Sequence, residues 1–198
     1  MKLRGLYAIT PPTGDTGELL RKLRSALEGG IVLLQYRRTH GSTEEAREVL
    51  ALAAGFGVPV IVNDDVDLAL EVGAAGAHLG REDGDLPSAK KRLADRLLGA
   101  SCYDSLETAR AAVRAGADYV AFGSVFPSGT KPGAVRAPLA LFGEAKKLGV
   151  PLAAIGGLTI DNASQAVQAG ADLLAVITGL FDADDIRARA VQYGRLFR

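Results

Sequence analysis

Apolar residues along the chain fall into short unbroken runs separated by longer stretches with helical spacing. The runs cover 3–9, 31–35, 59–62, 76–79, 97–101, 118–122, 151–155 and 173–177. Each is apolar at odd and even positions alike, the pattern of a parallel strand buried on both faces. The intervening segments are rich in Ala, Leu, Glu and Arg. Residues 104–115, "DSLETARAAVRA", show the spacing best. Leu106, Ala109 and Val113 recur at helical intervals, Asp104 or Ser105 offers an N-cap, and Gly116 stops the segment. Comparable helices fit 16–28, 43–55, 65–72, 87–95, 138–148, 162–169 and 182–193.

The pattern also repeats. "EGGIVLLQ" (28–35), "VGAAGAHLG" (72–80), "AGADYVAFG" (115–123) and "AGADLLAVI" (169–177) each place a glycine-rich stop before an apolar run. Their anchors Gly30, Gly73 and Gly116 are evenly spaced, and Gly170 comes later than the interval predicts. "GVPVIVN" (57–63) and "GVPLAAIGG" (149–157) form a second repeat in which Gly closes a helix and Pro opens a strand. Eight strands alternating with eight helices predict one α/β domain over 1–198, a (β/α)8 TIM barrel with short loops. An open doubly wound sheet is the alternative. It usually has fewer units, and no GxGxxG fingerprint follows the first strand.

Composition narrows the partners. Lys plus Arg and Asp plus Glu number 23 each, so the net charge is zero and nothing suggests a nucleic-acid or acidic-surface partner. Trp is absent, and no aromatic platform for stacking bases stands out. The single cysteine, Cys102, rules out a disulfide within the chain and fits a reducing cytoplasm. "MKLRGLYAIT" is too interrupted for a signal peptide, and no stretch reaches the roughly 18 apolar residues of a membrane span. The expectation is a cytoplasmic protein with no nucleic-acid or membrane partner, with a homo-oligomer left open.

A barrel of this kind carries its site where the strands end, and polar or glycine-rich residues gather there. "QYRR" (35–38) follows the second strand, "NDD" (63–65) the third, "HLGRED" (78–83) the fourth and "SCYD" (101–104) the fifth. "GSVFPSGTKPG" (123–133) follows the sixth, "GGLTIDN" (156–162) the seventh and "ITG" (177–179) the eighth. Asp64 and Asp83, on neighbouring loops, suit a hard cation such as Mg²⁺. The plainer alternative makes Asp64 a helix cap and puts Asp83 in a turn. Gly156, Gly157, Thr178 and Gly179 occupy the usual phosphate position of barrels, or are ordinary turn residues. Strand alternation points Gln35 and Arg37 one way and Arg38 the other, so Arg37 is the candidate phosphate grip and Arg38 a solvated charge. The residue type at Asn63 suits substrate or backbone equally. His78 reads first as a hydrogen-bonded packing residue and Cys102 as a passive thiol. His40 has no identifiable partner.

These strand-end segments, in order and over nearly the whole chain, resemble the thiamine phosphate synthase family. The most specific pieces are "NDDVDLALEVGAAGAHLGRED" (63–83) and "DYVAFGSVFPSGTKPGAVRA" (118–137). The resemblance implies that a hydroxymethylpyrimidine diphosphate loses diphosphate to the nitrogen of a thiazole phosphate. It implies Mg²⁺ on Asp64 and Asp83. It places Gln35, Arg37, Asn63, Ser101 and Lys131 on the pyrimidine diphosphate, with Lys131 and Ser101 closest to the chemistry. Ser128, Gly129, Thr130, Gly157, Ile177 and Thr178 would line the thiazole phosphate site.

Three positions depart from the family pattern. A Lys two residues after the first-loop Arg is replaced by Thr39, leaving Arg38 as a candidate substitute, and the loop is a few residues short. The usual Thr at 128 is Ser, and the usual Ser at 178 is Thr. Two other readings share the barrel. A thiazole tautomerase relative would carry His where this chain has Ser124. A non-catalytic phosphate-binding barrel would have no need of Asp64, Asp83 and Lys131 together.

Overall fold

Eight short strands close into one parallel barrel in sequence order, each neighbour pairing in register and the eighth pairing back onto the first. The computed structural model describes residues 3–12, 14–38, 41–127 and 135–198. The strands are β1 (Gly5–Ile9), β2 (Leu33–Tyr36), β3 (Val60–Asn63), β4 (Gly76–Leu79), β5 (Leu97–Tyr103), β6 (Tyr119–Phe122), β7 (Leu152–Ile155) and β8 (Leu173–Val176). The helices are α1 (Thr16–Glu28), α2 (Thr43–Ala54), α3 (Val66–Glu71), α4 (Leu86–Leu93), α5 (Leu106–Arg114), α6 (Ala140–Ala145), α7 (Ala163–Ala169), α8 (Thr178–Phe181) and α9 (Ile186–Arg195).

Alternation divides the core in two. Tyr7, Ile9, Leu33, Ile61, Tyr119, Ala121, Ala153 and Leu173 form a buried cluster inside the barrel. Their neighbours Leu6, Ala8, Leu34, Val120, Leu152 and Leu174 face outward and pack with buried helix residues such as Leu19, Leu23, Val49 and Phe142. Each fully buried Leu or Phe contributes about 1.5–3 kcal/mol relative to exposure. This double burial is why the strands read as continuous apolar runs.

The loops at the strand ends feed directly into capped helices. Asp15, Ser42, Asp65, Asp85, Ser105 and Asp185 each accept a hydrogen bond from a backbone N–H of the first turn that follows. Two boundaries differ from expectation for that reason. The cap of α3 is Asp65, so Asp64 is relieved of capping. After β8 the chain makes the single turn α8 and restarts at the Asp185 cap, so the expected helix over 182–193 runs instead over 186–195. The helix expected over 138–148 is α6 continued by a tighter 3-10 turn at Lys146–Leu148, and it ends at Gly149 in the left-handed conformation.

Candidate active site

One cavity of about 340 Å³ opens at the carboxyl ends of the strands. Eleven expected site residues line it: Gln35, Arg37, Asn63, Asp64, Asp83, Ser101, Gly156, Gly157, Ile177, Thr178 and Gly179. Ser128, Gly129, Thr130 and Lys131 lie outside the described residues, as do Thr39 and His40.

The pyrimidine-side residues are set by strand geometry. Gln35 points into the barrel from β2 and is buried, while Arg37, two residues on, is exposed at the rim. Thr10, at the end of β1, clips the Arg37 backbone from both sides. Its Oγ1 donates to the Arg37 carbonyl at 2.7 Å and accepts the Arg37 N–H at 2.8 Å. Arg38 turns to the outer face, as alternation predicts, but it is not a solvated charge. Its Nε and Nη2 donate to Glu45 at 2.9 and 3.0 Å, and the two side chains are 9% and 6% exposed. A two-point grip of this kind holds the guanidinium away from the cavity, so Arg38 does not stand in for the missing loop lysine.

Asp64 sits just past β3 with φ +62°, a left-handed conformation uncommon outside glycine. Its N–H donates to the His78 carbonyl at 2.8 Å, and the Asn63 side-chain amide donates to its carboxylate. Burial pushes the Asp64 carboxyl up to about 6, and a hydrogen bond and like charge from Asp83 push the same way, against Arg37 and Asn63. Asp83 in turn accepts the Gly80 N–H at 2.7 Å. A second carboxylate that raises the proton affinity of Asp64 marks a site short of a cation. No group of three or more metal-ligating side chains occurs among the described residues.

On the opposite rim, the chain entering the loop after β6 packs onto the glycines after β7. Val125 and Phe126 N–H groups donate to the Ile155 and Gly156 carbonyls at 2.9 and 3.1 Å. Gly157 has φ +63°, and a Cβ there would fall 2.2 Å from the Pro127 carbonyl oxygen. No other residue fits this close approach. Ser124 lines the cavity, and its hydroxyl donates to the Phe126 carbonyl at 2.6 Å, which holds the loop stem.

His78 and Cys102 are packing residues. His78 is buried, its Nδ1 2.9 Å from the Tyr119 hydroxyl and its Nε2 2.9 Å from Ser101 Oγ. Burial pulls its imidazole down to about 4, against the Asp83 charge, so it is neutral. Burial pushes the Cys102 thiol up to about 12. Sequence reasoning missed Thr10, Tyr7 and Tyr119. The two tyrosines could have been found: they are polar residues at inward positions of otherwise apolar strands.

Fold and rim together are those of a (β/α)8 enzyme with its site at the carboxyl ends of the strands. The model of the family described as thiamine monophosphate synthase matches residues 6–180. The thiamine-phosphate synthase of Aromatoleum aromaticum is 54% identical, over 99% of this chain and 97% of its own. That of Chromobacterium violaceum is 53% identical, over 96% and 94%. The solved thiamine phosphate pyrophosphorylase from Pyrococcus furiosus superposes with a TM-score of 0.86 at 33% identity, over 99% of this chain and 96% of that one. A 3-hexulose-6-phosphate synthase, 18% identical with a TM-score of 0.76, shares the fold alone. The chain belongs to the thiamine monophosphate synthase family, and its members' activity makes it a transferase. No described helix is long and apolar enough to cross a membrane.

Proposed function

We propose that this rim joins 4-amino-2-methyl-5-hydroxymethylpyrimidine diphosphate to a thiazole phosphate, giving thiamine phosphate and diphosphate. The observation that carries the reading is the convergence of Gln35, Arg37, Asp64, Asp83 and Ser101 in one cavity of a chain this close to the synthases. The bond from the methylene carbon to the diphosphate oxygen breaks, and its electron pair leaves with the diphosphate. The thiazole nitrogen lone pair forms the new C–N bond. No proton moves, so the site needs no strong base, and a neutral His78 and a protonated Cys102 are compatible with that.

Arg37 is assigned to hold the diphosphate, bound and departing alike, and Lys131 to stabilise the charge that grows as it leaves. Mg²⁺ fits Asp64 and Asp83, because this ion usually takes one or two carboxylates and completes its shell with substrate phosphates and water. When bound it would neutralise charge growing on the leaving group. Gly157, Ile177 and Thr178, with Ser128, Gly129 and Thr130, are assigned to the thiazole phosphate.

The test mixes purified protein, both half-substrates and Mg²⁺ and follows diphosphate and thiamine phosphate. Stoichiometric formation of the two is expected, with loss of activity in EDTA and in Asp64→Ala and Asp83→Ala. Absence of thiamine phosphate above background sinks the synthase reading, and full activity in EDTA removes the metal.

A further inference from the structure

A chain of hydrogen bonds crosses the barrel interior and ends on two residues of the site. Gln35 Nε2 donates to the Tyr7 hydroxyl at 2.7 Å, and Tyr7 lies 2.8 Å from the Tyr119 hydroxyl. Tyr119 lies 2.9 Å from His78 Nδ1, and His78 Nε2 lies 2.9 Å from Ser101 Oγ. Tyr7, Tyr119 and His78 are all buried. Space is kept for them by Gly99, where a Cβ would fall 2.1 Å from Tyr119 Cζ and 2.5 Å from His78 Nδ1.

The bonds have a common direction. Each hydroxyl and the neutral imidazole brings a single hydrogen. The Gln35 amide hydrogen occupies the Tyr7 oxygen, so Tyr7 spends its own hydrogen on Tyr119, its remaining partner among the described residues. Tyr119 then donates to His78 Nδ1. That puts the imidazole proton on Nε2, from which it is donated to Ser101 Oγ. The Ser101 hydrogen is left for the cavity, and Gln35 keeps its Oε1 for the cavity at the other end. Turning the Gln35 amide over would reverse all four bonds and leave Ser101 offering only lone pairs. A mismatch at either end would strand a buried donor or acceptor, which is costly. The two ends are therefore coupled.

We propose that Tyr7, Tyr119 and His78 are positioning residues that lock Gln35 as acceptor and Ser101 as donor, and thereby select an aminopyrimidine over its oxo counterpart. The proposal rests on the pyrimidine reading above. An exocyclic amino group gives Gln35 Oε1 the hydrogen it accepts, whereas an oxo group meets it lone pair to lone pair. Relieving that clash requires the whole chain to turn over, including its buried members. Sites built this way discriminate strongly, because the wrong partner leaves buried groups unpaired.

The coupling is read without any substrate, by ¹⁵N NMR of His78 in the full-length protein. The wild type should carry the proton on Nε2. In Gln35→Glu, on the basic limb of the new carboxyl's titration, the carboxylate accepts from Tyr7 and the chain reverses. The His78 proton then moves to Nδ1, although residue 35 does not touch His78. Adding Tyr7→Phe to Gln35→Glu cuts the chain and returns the proton to Nε2. A proton that stays on Nε2 in Gln35→Glu, or moves equally with Tyr7→Phe present, overturns the coupling.

Selection is read from Tyr119→Phe, which leaves both end residues in place but uncoupled. The ratio of kcat/KM for the amino to the oxo pyrimidine diphosphate should fall by at least about tenfold, with KM for the thiazole phosphate kept. Equal losses on both substrates, with the ratio unchanged, overturn selection. If the NMR result holds and neither pyrimidine diphosphate reacts in the wild type, the synthase reading falls and the selection with it, while the coupling stands.

Discussion

Strand β2 sends alternate side chains into two polar networks of opposite construction. Inside the barrel, Gln35 begins a series of neutral groups, each passing one hydrogen bond to the next. Outside, Tyr36 and Arg38 converge on a single carboxylate. Glu45 accepts from Tyr36 at 2.9 Å, from Thr16 at 2.6 Å and from Arg38 at two points. Burial pushes the Tyr36 phenol far above its ordinary range, and the hydrogen bond to Glu45 adds to it. Convergence ties α1, β2 and α2 together at one point, which pins the strand. The inner series has no such centre, so what one end does is felt at the other. The outer network thus fixes position and the inner one fixes hydrogen-bonding sense.

Breaking the outer network should have the largest effect. Glu45→Ala removes the carboxylate that takes two hydrogen bonds from the buried Arg38 guanidinium, a loss of about 3–5 kcal/mol. Urea denaturation checks this, and a loss under about 1 kcal/mol would show that the ion pair does not pin the strand. Replacing the pair together, with Arg38→Met and Glu45→Leu, should recover part of the loss, because much of the penalty is the cost of keeping a guanidinium buried without its carboxylate.

The inner network should fail by charging instead. The His78 imidazole is held at about 4, below its ordinary 6.5. As pH falls through 6.5 the unfolded chain takes up the proton first, so stability drops progressively until the folded protein is protonated near pH 4. The separation corresponds to about 3 kcal/mol. Asp64 works the other way. Its carboxyl is raised to about 6 from 3.8, so it favours the fold as pH falls through the same window. Its carboxyl is only partly desolvated at the open rim, and screening keeps its share below about 1 kcal/mol. Wild type should therefore lose stability between pH 6.5 and 4, and His78→Gln should lose much less. Equal pH slopes in denaturation would mean that His78 is not held neutral.

The same contrast explains what was legible in the sequence. The barrel was readable because the double burial of each strand leaves a local signature, and so was the clustering at strand ends, because a barrel brings seven loops to one rim. Arg38 was misread as solvated because its partner, Glu45, lies on a helix whose own pattern marks it only as a polar surface position. The inner tyrosines stand out as inward polar residues, but what they bond to was hidden for a similar reason. Tyr7 and Tyr119 are far apart in sequence and meet only when the barrel closes, and nothing local at Gly99 announces that its missing Cβ makes room for them. Asp64 could be placed near a helix start, but capping fell to its neighbour Asp65, a difference of one residue that backbone geometry decides and composition does not.

Thr10 lies where the two networks meet, and the smallest effect is expected there. It clips Arg37, and its own N–H donates to the Gln35 carbonyl at 2.9 Å. Thr10→Val keeps the shape and removes the hydroxyl, leaving the Arg37 N–H and carbonyl without their partner. A loss of about 1–2 kcal/mol follows from stranding these part-buried backbone groups. Arg37 is assigned to ground-state and transition-state binding of the diphosphate alike, so KM for that substrate should rise while kcat holds. Thr10→Ser restores the hydroxyl and should restore KM. If Val and Ser behave alike in both stability and KM, the hydroxyl clip is idle, and β2 is placed by the Glu45 network alone.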